Sequence, residues 1–214
     1  LQDHFQLEGL TYRVVPINTP SDRRSGAMGR VATDIMFKNV TEKFLWGNME
    51  TEGPIYLDEN ILRMTTNLRL QMSTLAEALI AEDRNDDARK ILDLSLEKMP
   101  DRNVPFDRIL LPTVEAYYAV GDTAKANALS ERIFTIMEEN LTWFLSLEPR
   151  FLEPLDQEMA ITHAVMGRLM ATTAAADPVL GKAMGDRFEL ANSLYDQKRQ
   201  EMLNAGKRMS RMRF

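Results

Sequence analysis

Apolar residues recur at helical spacing through most of this chain and at strand-like spacing only near its start. From Leu10 to Ile17 the run Leu-Thr-Tyr-Arg-Val-Val-Pro-Ile is β-branched and aromatic and predicts a strand, with Gly9 ending a short helix over Gln2 to Glu8. Asn18 to Arg30 is rich in Thr, Pro, Ser, Asp and Gly and predicts a loop. Thr33 or Asp34 is then positioned to cap a helix carrying Met36, Val40 and Phe44 and stopping near Gly47. Asn48 to Asp58 is a second irregular connection. From Glu59 onward the pattern is helical, broken at Asp83-Arg84-Asn85, Pro100 to Pro105, Gly121, Pro149 to Pro154 and Asp177-Pro178. These breaks define three successive helical hairpins, so the expected fold is mainly α with at least six helices. The last predicted helix carries one apolar stripe, Leu180, Met184, Phe188, Ala191 and Tyr195, which needs a partner; the preceding hairpins are the nearest.

Two of the hairpins share a signature. Met72, Leu75, Ala76, Leu79, Ala88, Leu92 and Pro100 fall at the spacing of a tetratricopeptide repeat, and Ala116-Tyr117-Tyr118, Gly121-Asp122 and Ala126 repeat its centre. Small residues there let antiparallel helices approach closely while larger apolar ones fill the seam. Ala88 and Ala126 lie 38 residues apart, against roughly 34 for the consensus. The excess falls in the connection Asp101 to Asp107. The second copy departs from the pattern at Val114, Ile133 and Glu138, and Pro112 must start or kink its first helix. Roughly three repeats are needed for a stable stack. The expectation is therefore a tetratricopeptide-like stack of antiparallel hairpins over 59–214, with the third hairpin as an atypical cap, preceded by a strand, loop and helix segment over 1–58.

An ordered set of short motifs adds a resemblance. Phe5-Gln6-Leu7-Glu8-Gly9-Leu10-Thr11-Tyr12-Arg13-Val14-Val15-Pro16-Ile17, Thr33-Asp34-Ile35-Met36, Phe44-Leu45-Trp46-Gly47, Tyr56-Leu57-Asp58-Glu59-Asn60, and Leu110-Leu111-Pro112 with Ala116-Tyr117-Tyr118 resemble the C-terminal soluble region of a family of large bacterial polytopic membrane proteins. That family is a domain of unknown function classed as glycosyltransferase-like. The resemblance runs from Leu1 to about Asp156. It implies that sugar-transfer chemistry, if any, belongs to a membrane-embedded N-terminal part, and that this chain is an extramembrane appendage in the cell envelope, on the periplasmic side. No catalytic residue of the family transfers onto these positions. A chain beginning at Leu1, with no basic and apolar leader, fits a piece of something longer. The strand at Leu10 to Ile17 is then expected to be an exposed edge.

Composition narrows the chemistry. A length of 214 residues fits one large domain or two small ones, and no apolar run approaches the roughly 18 residues of a membrane span. A net charge of −6 disfavours nucleic acid as the main partner. The absence of cysteine removes disulfides and thiolate metal sites, and the two histidines, His4 and His163, lie in different elements, so neither metal nor cofactor is expected. The carboxylates Glu148, Glu153, Asp156 and Glu158 cluster at a helix start, where capping and macrodipole compensation explain them better than paired acid and base work. The same applies to Asn85-Asp86-Asp87 and Asp122-Thr123. Arg23 to Arg30 combines glycines and cations, an anion cradle in composition, but lacks the setting of a nucleotide loop. Met36, Met72 and Met184 fall on apolar stripes and read as core. The basic tail Lys198 to Arg213 reads as a solvated terminus, with a lipid-headgroup contact as the alternative.

The preferred function is a non-catalytic protein- or ligand-binding scaffold. Its groove would be lined by helix A residues pointing away from helix B: Ser73, Glu77, Ile80, Glu115 and Tyr118. The competing readings are a carbohydrate hydrolase using the Glu148 to Glu158 acids, and a purely structural domain packing on its own membrane portion or on a second copy.

Overall fold

The computed structural model describes residues 2–19 and 29–212, with side chains described for 3–19 and 29–204. The chain is mainly helical, with a small sheet at its N-terminus. It divides into two compact units, Leu1–Asp122 and Thr123–Phe214, so the division falls inside the stretch read from the sequence as one helical-repeat region.

In the first unit, β1 (Phe5–Leu7) pairs antiparallel with β2 (Tyr12–Val14) and parallel with β3 (Arg30–Val31), in the order β2-β1-β3. The sequence reading missed two of these strands. Only a 3-10 turn, Gln2–His4, stands where a helix over Gln2 to Glu8 was expected, and the expected long strand is reduced to Tyr12–Val14. That strand is at the edge, as expected, but it keeps β1 as a partner. A three-residue strand gains its stability from pairing rather than from its own periodicity, which is why β1 was not legible. Gly29 is obligatory at the entry to β3: its φ is +73°, and a Cβ would lie 1.8 Å from the carbonyl oxygen of Phe5.

Helix α1 (Thr33–Lys38) runs on into a π-helical segment, Asn39–Lys43. Its N-cap is Ala32, with no side-chain cap, because Thr33 instead donates to Glu82 Oε1 at 3.0 Å and Asp34 pairs with Arg84 at 2.8 Å. Both expected caps are thus used to fasten α1 to the chain beyond α2.

Helix α2 (Glu59–Ala81) opens on a true cap, Asp58, whose carboxylate accepts from the Ile61 amide at 2.8 Å. It packs along α3 (Asn85–Lys98), and Met72, Leu75, Ala76, Leu79, Ala88 and Ile91 are all fully buried there. Leu92 is buried as well, so six of the seven signature residues are core and Pro100 is half-buried. Helix α3 also lacks a side-chain cap: Asp86 and Asp87 occupy its first turn and pair with Arg89 at 2.7 Å and Arg84 at 2.9 Å. Helix α4 (Leu111–Ala119) carries Pro112 in its first turn, so the proline starts the helix instead of kinking it. Ser73 and Thr113 share a hydrogen bond of 2.8 Å that joins α2 to α4.

The connection after α3 is held by one buried cation. Arg69, 1% exposed, donates through Nη1 to Pro105 O at 2.9 Å and through Nη2 to Met99 O and Val104 O at 2.5 Å each. Its guanidinium stacks 5.0 Å from the Phe106 ring, and burial lowers its pKa to about 10, against the opposing pull of Asp107 and Asp101. Asn103 passes the constraint onward, donating to Met49 O and Thr51 O at 2.8 Å each.

The second unit contains α5 (Thr123–Ser146), α6 (Pro149–Leu152), a 3-10 turn at Glu153–Leu155, α7 (Asp156–Ala176) and α8 (Pro178–Met212). Helices α7 and α8 form the expected third hairpin, and the α8 stripe packs mainly on α7. The closest approach is at Gly181, where a Cβ would lie 2.3 Å from Ala174 Cα. Further along, Phe188 lies over Gly167 and stacks on His163 at 5.0 Å. Ser130 bonds Thr173 at 2.7 Å between α5 and α7. Arg187 on α8 pairs with Glu138 on α5 at 2.5 Å, over the Phe134 ring. Asp177 caps α8, accepting from the Val179 and Leu180 amides at 3.1 Å each and from Asn127 at 2.8 Å. The Leu180 amide is the main reason its pKa falls below the ordinary value.

Three outcomes are expected. Ala88→Leu inserts methylenes into a fully buried contact and should cost about 1–3 kcal/mol in urea melts, whereas Ala119→Leu, at an exposed site, should stay within about 0.5 kcal/mol. Arg69→Met removes three carbonyl partners together and should cost about 3–5 kcal/mol, with Arg69→Lys failing to restore the fork geometry. For Asp177 the folded pKa is depressed, so its contribution is present above the unfolded value of 3.8 and disappears as pH falls through the folded value. The stability gap between wild type and Asp177→Ala should therefore close on acidification below 3.8, and a gap independent of pH would contradict the cap.

Candidate functional site

The five residues expected to line a groove sit on α2 and α4, one buried and four half-buried. Ser73 is 2% exposed and its hydroxyl is committed to Thr113 and to Arg69 O. Helix α2 packs directly on α4 there, which closes the face at Ser73. Glu77, Ile80, Glu115 and Tyr118 are half-buried, and Glu77, Glu115 and Tyr118 are each engaged by other groups.

An open concavity of the first unit lies along the outer face of α3. It encloses about 390 Å³ and is lined by Asp86, Arg89, Lys90, Asp93, Leu94 and Glu97, with Thr41 of the π-helical segment completing the wall. These α3 residues recur three and four apart, so one helix presents them as a single strip. Local pairings fix their positions. Arg89 spans from Asp86 to the carbonyl of Val120 at 2.9 Å, tying α3 to the end of α4. The Lys90 ammonium lies 5.4 Å from the Phe37 ring centroid, and Glu97 holds Lys98 at 3.0 Å. Asp93 accepts from the Tyr117 hydroxyl at 2.9 Å, and burial, then this hydrogen bond, pushes the phenol well above its ordinary pKa. Tyr117 therefore stays a neutral donor. The strip carries the anions Asp86, Asp93 and Glu97 and the cations Arg89 and Lys90, with one apolar contact at Leu94.

The other sequence candidates are dispersed. His163 is half-buried between Phe188 and Tyr195, the latter stacked at 4.2 Å, and its Nε2 meets Asn192 Oδ1 at 2.9 Å, so the ring is used in packing. Glu148, Glu153 and Glu158 are exposed, and Asp156 pairs with Arg199. Glu148 pairs with Arg150 at 3.1 Å and makes no side-chain cap, while Asp156 and Glu158 lie in the first turn of α7. Of Arg23 to Arg30, residues 23–28 lie outside the described residues; Arg30 donates to Gln6 at 2.8 Å. Among the described residues no group of three or more His, Asp or Glu is placed to hold a metal ion, and no helix is long and apolar enough to cross a membrane.

The sequence reading missed the α3 strip because Asp86, Arg89, Lys90, Asp93 and Glu97 look like an ordinary solvated helix face. The available signal was their shared register beside Leu94. No family model, no curated protein and no solved structure matches this chain.

Tyr117→Phe tests the wall of this site. Loss of one hydrogen bond to a carboxylate should cost about 1.5–3 kcal/mol in a urea melt. An unchanged melt would show that Asp93 is not held by the phenol.

Proposed function

We propose that this chain is a non-catalytic scaffold module that binds a protein, peptide or glycan through the outer face of α3. The observation that carries this reading is the open groove of about 390 Å³, whose charged walls are already held in place by intramolecular pairs. A surface fixed before binding loses little side-chain entropy when a ligand arrives. The ordered sequence motifs from Phe5 to Tyr118 support a setting as the periplasmic, extramembrane part of a bacterial inner-membrane protein with a glycosyltransferase-like membrane portion. The helix pairing of α2 with α3 supports a tetratricopeptide-like organisation of the first unit.

The test uses the full chain as bait against cell-envelope extract, beside Lys90→Glu/Leu94→Glu. A partner retained by wild type and lost from the variant supports the assignment. Equal retention by both would move the binding surface elsewhere. Turnover of a polysaccharide that disappears on Glu153→Gln would replace the scaffold reading with a hydrolase.

A further inference from the structure

The charges that line the α3 groove are matched within the chain, except at Lys90. Asp86 pairs with Arg89 at 2.7 Å, and the same guanidinium is committed to the carbonyl of Val120. Glu97 pairs with Lys98 at 3.0 Å, and Asp93 accepts from the Tyr117 hydroxyl at 2.9 Å. Among the described residues no carboxylate lies within ion-pair distance of the Lys90 ammonium. That ammonium is placed instead by the Phe37 ring, 5.4 Å from its centroid, and Lys90 is exposed. A ring face attracts a cation without neutralising it, so the charge stays available to a ligand. Leu94 stands one turn further along α3 and is half-buried, and Thr41 lines the same groove. Lys90 and Leu94 thus share one helix face, separated by an axial rise of about 6 Å. Arg89 and Asp93, by contrast, reach toward α4.

We propose that the α3 groove selects an extended acidic peptide, which sets a Glu or Asp on Lys90 and an apolar side chain on Leu94. The assignment rests on the reading of α3 as the binding surface and narrows its ligand to one class. Charge complementarity supplies the acid, because Lys90 is the lining cation that the chain leaves without a counter-charge. An extended chain points every second side chain to one face, about 6.7 Å apart, so an acid and an apolar residue two positions apart match the two anchors. A groove of about 390 Å³ is near the small end of ligand clefts and takes a few side chains, whereas a docked helix is about 10–12 Å across. The lining holds no aromatic ring for a sugar to stack on. Its three carboxylates disfavour the closely spaced phosphates of a nucleic acid.

The test selects a displayed library of random peptides on the immobilised full chain and keeps the clones that Leu94→Glu does not retain. Leu94→Ser provides a second counter-selection should Leu94→Glu shift the thermal transition. The synthesised peptides are then titrated by fluorescence anisotropy. They should carry an acid two positions from an apolar residue and weaken at high salt. Their affinity should fall about fivefold or more on Lys90→Glu and hold on Lys90→Arg. On Lys90→Glu it should recover when the peptide's acid is replaced by Lys, a rescue that a merely structural role for Lys90 would not give. Leu94-dependent clones that lack the acid, or that bind Lys90→Glu unchanged, overturn the acidic specificity and leave the α3 surface standing as a binding site. The absence of any Leu94-dependent clone overturns the proposal outright. A glycan retained by wild type and lost on Leu94→Glu would then assign the groove to a sugar, and its absence too would remove the α3 surface as a binding site.

Discussion

The first unit depends on Arg69, a cation in the middle of an apolar helix face. A charge at 1% exposure is tolerable only because three carbonyl oxygens and an aromatic ring surround it. Those carbonyls belong to Met99, at the end of α3, and to Val104 and Pro105, in the connection that exceeds the repeat consensus. A long connection with prolines would leave its carbonyls facing the core unpaired. Arg69 satisfies them together, and its Nε alone lacks a hydrogen-bond partner. Through Asn103 and Arg102 the same connection holds the backbone at Met49, Glu50 and Thr51. One buried guanidinium thus orders two irregular segments.

The second unit is organised differently. Its helices meet through small residues and paired hydroxyls instead of a buried charge: Gly181 on Ala174, Ser130 on Thr173. Its charged contacts, Arg187 with Glu138 and Arg199 with Asp156, sit at the half-exposed margins of those seams. Pairs of that kind fix which helix faces which and contribute little net stability. Apolar packing supplies the rest.

The α3 strip, the proposed binding surface, shares residues with the helical core. Tyr117 is fully buried in the core yet ends at Asp93 in the groove, and Arg89 both lines the groove and binds the carbonyl that ends α4. The groove is therefore an outgrowth of the helical core, not a mobile loop. Its walls inherit the rigidity of α3 and α4.

The sequence by itself determined the breaks between the helices from Glu59 onward, because these follow from local rules. Gly121 with φ +78°, Pro112 in a first turn and Asp177 before Pro178 each act on their own neighbours. Periodicity likewise placed Met36, Met72 and Met184 in the core, where all three are at most 1% exposed. Tertiary structure decided what depends on partners distant in the chain. Phe5–Leu7 is a strand only because Tyr12–Val14 and Arg30–Val31 lie beside it. Thr33, Asp34, Asp86 and Asp87 had the chemistry of caps but found stronger side-chain partners. Ser73 had the register of a groove residue, and the arrival of α4 buried it. Nothing local marked Arg69, because the carbonyls that make it necessary lie more than 29 positions further along the chain.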